Sequence, residues 1–271
     1  MTPQRYNLYG QGGSGKSFIG TSAIVDHATD EVIAPKGLWI QIGQERNPNL
    51  HVPEANIKRF SVDILQPHAC ITGVIDYLKT LQVAAAKGQV ADVIFFDGYT
   101  ELDILIGYVH DLQPLDNDKW SEWRYRKTIM TAVTQILDSA VLGCDVITTA
   151  RVAQLKKGVT DRRTGETTGA DPDFVNSRYF PQMDGWMRYN LPSYHDWCFY
   201  IEAEDSIGGA IHRMHLAQDG DFFIKNGLSH RWQKPLPNHL DNSTFQQMKQ
   251  VLEHAGKPVN TTSPELETIK E

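Results

Sequence analysis

Residues 6 to 17 carry the most specific pattern in the sequence and read Tyr6-Asn7-Leu8-Tyr9-Gly10-Gln11-Gly12-Gly13-Ser14-Gly15-Lys16-Ser17. The apolar and aromatic run at residues 6–9 predicts a strand that stops at the first glycine. The last eight residues match the pattern G-x-x-x-x-G-K-[ST]. Four apolar residues then recur at helical spacing: Phe18, Ile19, Ala23 and Ile24. They predict a helix over about residues 16–27, so the glycine pattern lies between a strand and a helix.

The composition of residues 10–17 suits a loop that holds phosphate. Glycines let successive backbone N–H groups turn toward one point, and the start of the following helix adds partial positive charge. The Lys16 ammonium can reach the β- and γ-phosphates of a nucleotide, and the Ser17 hydroxyl can ligate Mg²⁺. The sequence therefore predicts ATP and Mg²⁺ as cofactors; the alternative is an ordinary glycine turn. The predicted nucleotide-binding residues are Gly10, Gln11, Gly12, Gly13, Ser14, Gly15, Lys16, Ser17 and Phe18.

An acidic residue follows the apolar run Val93-Ile94-Phe95-Phe96, which predicts a strand buried on both faces of a parallel sheet. A phosphate-binding loop of this kind needs such a residue at the end of a neighbouring strand to hold the metal. Asp97 fits that position, and we predict that Asp97 and Ser17 form the metal site; the alternative is an aspartate that only caps a turn. A regulatory GTPase is not expected, because residues 97–100 lack the glycine of D-x-x-G and the sequence has no N-K-x-D motif.

Hydrolysis needs a group that activates or positions water near the terminal phosphate. Glu45 lies just beyond the predicted strand at residues 38–42, at the carboxyl edge of the sheet, where ligands bind in open parallel sheets. Glu101 lies four residues past Asp97 and is the second candidate. Glu45 is preferred, and the sequence leaves the choice open.

Helices alternate with strands through the first 150 residues. Pro67 begins a predicted helix that ends near Gly88, a second amphipathic helix covers residues 129–141, and a buried strand follows at 146–149. This alternation predicts an α/β fold with a mostly parallel central sheet flanked by helices.

The pattern changes after residue 150. Residues 151–190 are polar and rich in Gly, Asp and Arg, which predicts an extended loop. Turn residues then separate three apolar segments, at residues 197–201, 210–216 and 222–224. These segments predict antiparallel strands at the C-terminal edge of the sheet, followed by a last helix at 243–254.

Composition sets the broad class of protein. The 271 residues carry a formal net charge of −7, with 41% hydrophobic and 22% charged residues, as in soluble globular proteins. We expect a single domain over residues 1–255 and a flexible tail at 256–271. Three scattered cysteines favour a reducing, cytoplasmic compartment over a disulfide framework. Apolar runs fall far short of the roughly 20 residues that a membrane span needs. The acidic balance argues against a protein that coats nucleic acid by charge alone and does not exclude a local basic site.

Together these motifs resemble the RecA-like ATPases, and within them the compact phage-encoded recombination ATPases implicated in single-strand annealing. Besides the glycine loop and Asp97, the matching segments are Ile40-Gln41-Ile42-Gly43-Gln44-Glu45, Asp145-Val146-Ile147-Thr148-Thr149-Ala150-Arg151 and Phe222-Phe223-Ile224-Lys225-Asn226-Gly227. The resemblance covers roughly residues 4–235. It implies a RecA-like core for the predicted sheet and, for a phage-encoded chain, a place in the host cytoplasm.

The resemblance also implies roles within one ATP site. Glu45 would be the catalytic carboxylate, acting together with Lys16. The end of the fourth core strand, at Thr149 or Arg151, would sense the γ-phosphate.

A further implied role belongs to a neighbouring subunit. Lys225 would project into that subunit's ATP site and stabilise transition-state charge, as an arginine finger does. Gly227 stands where many relatives have arginine, so Arg231 is the alternative to Lys225. Copies of the chain would then assemble as a ring or a filament.

Single-stranded DNA is the partner that the resemblance implies, because the loops after the third and fourth core strands face DNA in RecA-like proteins. After the fourth strand, the predicted DNA-binding residues are Lys156, Lys157, Arg162 and Arg163. After the third strand, the sequence offers Trp120, Trp123, Arg124, Tyr125, Arg126 and Lys127. Aromatic faces stack bases and cations neutralise phosphates, which suits single strands. The alternatives are core packing for the tryptophans and a solvated charged loop for the basic residues.

The leading interpretation is an Mg²⁺-dependent ATPase that acts on single-stranded DNA in phage recombination or replication. Two other classes stay open. A small-molecule phosphotransferase would use the same phosphate loop, with residues 151–189 as a lid. A DNA-packaging motor or a nucleotide-gated scaffold in a virion would also fit a ring ATPase.

Overall fold

The computed structural model describes most of the chain. The described ranges are 2–43, 50–112, 121–154, 159–160, 167–168, 179–183, 187, 190–206, 209–217, 223–225 and 236–255. The predicted tail at 256–271 lies outside them.

Strands and helices alternate through the first half of the chain, as the sequence predicts. The strands there are β1 (Arg5–Gly10), β2 (Val25–Asp26), β3 (Glu31–Val32), β4 (Leu38–Ile42), β5 (Ile57–Phe60), β6 (Val93–Asp97) and β7 (Asp145–Gln154). The helices are α1 (Lys16–Thr21), α2 (Pro67–Ala86), α3 (Tyr99–Leu112), α4 (Ser121–Ile136) and α5 (Ser139–Leu142). After β7 come β8 (Val159–Thr160), β9 (Thr167–Thr168), β10 (Tyr179–Pro181), β11 (Trp197–Ser206), β12 (Gly209–His215), β13 (His239–Asp241) and the helix α6 (Phe245–Ala255). Among the described helices, none has both the length and the apolarity that a membrane span requires.

The main sheet has the strand order β13-β12-β11-β1-β7-β6-β4-β5. Every neighbouring pair from β11 to β5 is parallel, whereas β12 and β13 continue the sheet in antiparallel fashion. The predicted fold class is therefore confirmed, including the antiparallel strands at the C-terminal edge. Because β1, β6 and β4 are parallel members of one sheet, their carboxyl ends meet at the same edge.

Helices cover both faces of the sheet, and each face has its own core. Phe95 of β6 belongs to the core that contains apolar residues of α1 and α6. Phe96, the next residue, belongs to the opposite core, with apolar residues of α2, α3 and α4. Both side chains are fully buried. This two-sided burial is the reason that β6 is a continuous apolar run in the sequence.

Helix α1 is shorter than predicted, because it ends at Thr21 and does not continue to residue 27. Hydroxyls near its end bond back to the helix: Thr21 Oγ1 donates to the Ser17 carbonyl and Ser22 Oγ to the Ile19 carbonyl, both at 2.7 Å. Such bonds compete with the backbone ladder of a helix. The apolar residues that follow are still buried, but they lie in a turn that leads into the β2–β3 hairpin.

The predicted helix over residues 129–141 is wrong in extent, because α4 ends at Ile136 and α5 begins at Ser139. Asp138 separates the two helices. Its carboxylate accepts from the Ala140 N–H at 2.9 Å and so caps the start of α5. An aspartate that can cap favours a new helix start over continuation of the old helix.

The segment 151–190, predicted as one extended loop, contains strands. β7 continues to Gln154, β8 pairs with β9, and β10 pairs antiparallel with the end of β7. The predicted strand at 222–224 is also wrong in its described part. Phe223 and Ile224 belong to no strand, and the next residue, Lys225, forms an isolated bridge with Cys198 through two backbone hydrogen bonds of 2.8 and 3.0 Å. β8, β9 and β10 have only two or three residues each, too few to show a periodic pattern in the sequence.

Gly20 in α1 permits close packing of this helix on the sheet. A Cβ at this position would lie 2.4 Å from ring atoms of the buried Phe95. We expect Gly20→Ala to lower the free energy of unfolding by about 2 kcal/mol, since overpacking a core costs roughly 1–3 kcal/mol. Urea denaturation measures this change.

Gly73→Ala in α2 is the matched control for Gly20→Ala. Its Cβ would lie 3.7 Å from the nearest atom, on the Phe60 ring, which is an ordinary contact. Here the helix propensity of alanine predicts that the free energy of unfolding rises by about 0.5–1 kcal/mol. Changes of the same sign in the free energy of unfolding of the two variants would contradict the close packing of α1 on the sheet.

Candidate functional site

The loop between β1 and α1 presents unused backbone donors. Gly13 and Gly15 have φ angles of 76° and 96°, in the left-handed region that favours glycine. The N–H groups of Gly12, Gly13 and Gly15 find no acceptor among the described residues. Successive unpaired N–H groups in such a turn form a cradle for an anion. The loop therefore fits the phosphate that the sequence predicts.

The Lys16 ammonium lies over this loop. It donates to the carbonyl oxygens of Gly10 at 3.0 Å and Gln11 at 2.6 Å, and to Ser14 Oγ at 3.3 Å. These acceptors are uncharged, whereas a phosphate oxygen would give the same ammonium a stronger, charge-assisted hydrogen bond. The Lys16 ammonium therefore lies where a phosphate group on the loop could accept a hydrogen bond from it.

Asp97 links α1 to two strands. Its Oδ2 accepts from Ser17 Oγ at 3.0 Å, and its Oδ1 accepts from Thr149 Oγ1 at 2.5 Å. Sheet register places these groups together, because Asp97 pairs with Thr149 on β7 and with Gln41 on β4. Carboxylate and hydroxyl oxygens are the ligands that Mg²⁺ prefers. Ser17 and Asp97 therefore fit the predicted metal site, with the predicted sensor Thr149 against it.

A cleft of about 790 Å³ opens above these groups. This volume is typical of pockets for cofactor-sized ligands, roughly 300–1,000 Å³. Its polar lining includes Ser14, Lys16, Ser17, Gln41, Asp97, Glu101, Thr149 and Arg151. Its apolar and aromatic lining includes Phe18, Ile19, His27, Trp39 and Leu50. Predicted nucleotide-binding residues 12–18 all line the cleft, and Gly10 and Gln11 supply the carbonyl groups that hold Lys16.

An ion pair lies in the same cleft. Arg151 Nε donates to Glu101 Oε1 at 2.8 Å. The Glu101 side chain is 19% exposed and that of Arg151 is 47% exposed, so the carboxylate is the more enclosed partner. Thr100 holds the strand beneath this pair, since its Oγ1 accepts from the Arg151 N–H at 2.8 Å. The second candidate carboxylate and the second candidate sensor are thus adjacent.

Lys225, predicted to act in a neighbouring subunit, does not line the cleft. Its ammonium donates to the carbonyl oxygens of His195 at 2.5 Å, Pro192 at 3.0 Å and Ser193 at 3.4 Å. Burial lowers the pKa of Lys225. All three acceptors belong to the same chain, so the role in a neighbouring subunit stays a prediction and requires these bonds to break.

Other predicted site residues lie outside the described part of the chain: Glu45, Lys156, Lys157, Arg162, Arg163 and Arg231. The aromatic and basic group on α4 is described from Trp123 onward. Arg126 there is buried and pairs with Asp103 at 3.0 Å and Glu122 at 2.9 Å. Arg126 is therefore a structural contact between α3 and α4 and not a surface for DNA. Trp123 is 38% exposed, with the Lys127 ammonium 5.0 Å from its ring centre.

Gln41 and His27 are among the cleft residues that were not predicted. Gln41 is 5% exposed and lies beside Asp97 on the neighbouring strand. A polar residue inside the apolar run of β4 is a sequence signal that could have identified it. His27 gave no such signal, because the predicted helix ended on it and the turn that places it in the cleft follows from the early end of α1.

Comparisons with known proteins found similar solved structures, while no family model and no curated protein matches the chain. A KaiC-like protein from the hyperthermophilic archaeon Pyrococcus horikoshii OT3 is 10% identical, with a TM-score of 0.37 over 79% of this chain and 78% of that chain. The flagellar accessory protein FlaH from Methanocaldococcus jannaschii is 10% identical, with a TM-score of 0.38 over 89% of this chain and 84% of that chain. Similarity at this level carries no argument about function.

Proposed function

We propose that the chain binds ATP with Mg²⁺ in this cleft and hydrolyses it. One observation carries the proposal: the Asp97 carboxylate meets the Ser17 hydroxyl at 3.0 Å, directly after a loop in which three glycine N–H groups find no acceptor in the described part of the chain. Phosphoryl transfer requires little covalent chemistry from a protein and depends on positioning and on neutralising charge. A backbone cradle, a lysine, a hydroxyl and a carboxylate in one cleft supply both.

The residues of the site divide these tasks. The loop N–H groups and Lys16 hold the phosphate oxygens, while Ser17 and Asp97 hold the cation. When bound, Mg²⁺ supplies positive charge at the β- and γ-phosphates. Thr149 fixes the orientation of Asp97 through its 2.5 Å hydrogen bond.

Two carboxylates are proposed for orienting the attacking water. Glu101 is supported by its place in the cleft, where Arg151 pairs with it at 2.8 Å. Glu45 is supported by its position after β4 in the sequence and by the family resemblance. Because Glu→Gln removes the charge and keeps the shape, the variant with the larger loss of turnover identifies the carboxylate in use.

Phosphate release from ATP by the purified protein tests the proposal. Release should depend on Mg²⁺ and stop in EDTA. A protein that releases no phosphate under any of these conditions would contradict the ATPase assignment. Rapid transfer to a nucleoside or metabolite in place of water would instead identify a phosphotransferase.

We further propose that hydrolysis serves single-stranded DNA in phage recombination or replication, through a ring or filament of several copies. The support comes from the sequence: residues 151–166 hold five cationic side chains against two acidic ones. A local excess of positive charge in an acidic chain favours contact with a polyanion. The resemblance to recombination ATPases implies DNA contact by the same segment.

Replacing Lys156, Lys157, Arg162 and Arg163 together by alanine should weaken single-stranded DNA binding by about 10- to 100-fold at low salt. Each neutralised phosphate on a single strand contributes about 0.7 to the slope of log affinity against log salt, so the slope should fall by about 3. Fluorescence anisotropy over a salt series measures both. The matched control replaces four exposed lysines elsewhere: Lys36, Lys58, Lys79 and Lys87. Affinity that is absent or insensitive to salt in the unmutated protein would refute the DNA partner.

A further inference from the structure

The hydrogen bonds around His27 favour a proton on one of its two ring nitrogens. His27 follows β2 in the hairpin turn, and its Nε2 lies 2.9 Å from Thr21 Oγ1. Thr21 has one hydroxyl hydrogen, which it donates to carbonyl oxygens of its own helix, that of Ser17 at 2.7 Å and that of Phe18 at 3.2 Å. The 2.7 Å contact to the Ser17 carbonyl is the shortest of the three, which favours that carbonyl as the acceptor of the Thr21 hydrogen. The Thr21 oxygen then accepts from His27 Nε2–H.

In this tautomer the other ring nitrogen of His27, Nδ1, is a hydrogen-bond acceptor. Burial lowers the pKa of His27 below its usual value, so the ring is neutral at pH 7. Its Nδ1 is buried and has no hydrogen-bond partner among the described residues. A buried acceptor without a partner is costly, and the ring lines the cleft. A ligand in the cleft that donates an N–H or O–H would remove this cost.

The surroundings of His27 suit a flat, apolar ligand. The Phe18 ring packs against the imidazole with centroids 4.9 Å apart and planes inclined by 32°. Leu50 lines the cleft with them, and we call these three residues the nucleoside patch. Phe18 directly follows Ser17, so the patch adjoins the proposed cation site. When the loop holds the triphosphate, the planar base and the ribose of the nucleotide still need a binding surface.

We propose that His27 determines specificity for the nucleoside half of the substrate, its Nδ1 accepting a hydrogen bond from a base amino group or a ribose hydroxyl while Phe18 covers the base. The assignment rests on the proposed function, since it presupposes that a triphosphate lies on the glycine loop. The contact from His27 is additional to the phosphate contacts that the glycine loop provides. A triphosphate without a nucleoside would not make this contact.

His27→Gln tests the assignment with little disturbance of the fold. Glutamine places an amide nitrogen near the position of Nε2, so the bond to Thr21 can persist while the Nδ1 acceptor is lost. Isothermal titration calorimetry would compare two ligands in Mg²⁺, the β,γ-imido analogue of ATP and inorganic tripolyphosphate. Loss of one hydrogen bond to a buried group predicts about tenfold weaker binding of the analogue. Binding of tripolyphosphate should change less than about twofold, because the phosphate contacts are untouched.

The control is His68→Gln, an exposed histidine whose Nδ1 also lies near a threonine, Thr72, but outside the cleft. It should leave both affinities unchanged. Equal weakening of both ligands by His27→Gln, or weakening of neither, would overturn the assignment. The unmutated protein gives a second test that needs no variant, since equal affinity for the two ligands would also overturn it. An unmutated protein that binds neither ligand would instead refute the proposed function itself.

Discussion

Lys16→Ala should reduce ATP turnover by about a thousandfold, because removing one preorganised donor from a charged transition state costs roughly 10²–10³ in kcat and Lys16 is a charged donor. Its ammonium already lies on the loop, bound to Gly10, Gln11 and Ser14. No other lysine or arginine of the described residues contacts this loop as it does. Phosphate release at saturating ATP and Mg²⁺ measures the loss.

The control for Lys16→Ala is Lys79→Ala, at an exposed lysine of α2 whose ion pair with Asp76 is at the surface. Pairs of this kind contribute little to stability, so turnover and melting temperature should both stay unchanged. Full turnover in a purified, folded Lys16→Ala protein would refute the assigned phosphate site. Loss of phosphate release in Lys16→Ala would also exclude a contaminating ATPase, because a contaminant would be insensitive to either substitution.

In Asp97→Asn, millimolar Mg²⁺ should no longer stimulate turnover. Turnover should also fall by at least about a hundredfold. Asparagine keeps an oxygen that can accept from Thr149 or Ser17 but removes the charge that attracts the cation. Because the shape is nearly unchanged, the sheet edge should stay intact, and binding of ATP without metal should change little. A Mg²⁺ titration of phosphate release gives the shift in apparent affinity.

Asp92→Asn is the matched control, at the residue just before β6 and so at the opposite end of this strand from Asp97. Asp92 also accepts a hydrogen bond from a neighbouring segment, the Lys36 N–H at 2.8 Å, but does not line the cleft. Its substitution should leave the Mg²⁺ titration unchanged. An unaltered titration in Asp97→Asn would show that the cation is held elsewhere.

The parts of the site that could be predicted from the sequence are those with local signals. The glycine loop is recognisable because a single short segment supplies the whole cradle. Asp97 is recognisable because β6 is buried on both faces and its apolar run ends on that residue. Neither inference needs knowledge of which strands are neighbours.

Contacts set by strand order could not be predicted in the same way. Thr149 and Gln41 reach Asp97 only because β7 and β4 flank β6. The family resemblance identified Thr149, whereas no local pattern pairs it with Asp97. His27 depends on the early end of α1, which hydrogen bonds of Thr21 and Ser22 favour against the apolar spacing.

Helix α3 shows a helical signal that our prediction missed. Four of its buried residues have the spacing of one helix face: Leu102, Leu105, Ile106 and Val109. Its first turn carries Glu101, so recognising the helix would have placed this carboxylate beside the end of β6.

The central claim is that the loop at residues 10–17 holds a triphosphate whose cation lies between Ser17 and Asp97. A crystal structure with the β,γ-imido analogue of ATP and Mn²⁺ in place of Mg²⁺ tests it most directly, since the anomalous signal of manganese locates the cation independently of the fitted ligand. We expect a single strong peak next to Ser17 Oγ and the Asp97 carboxylate, with phosphate density against the N–H groups of Gly13 and Gly15. A manganese peak away from Asp97, or phosphate density away from the loop, would contradict it.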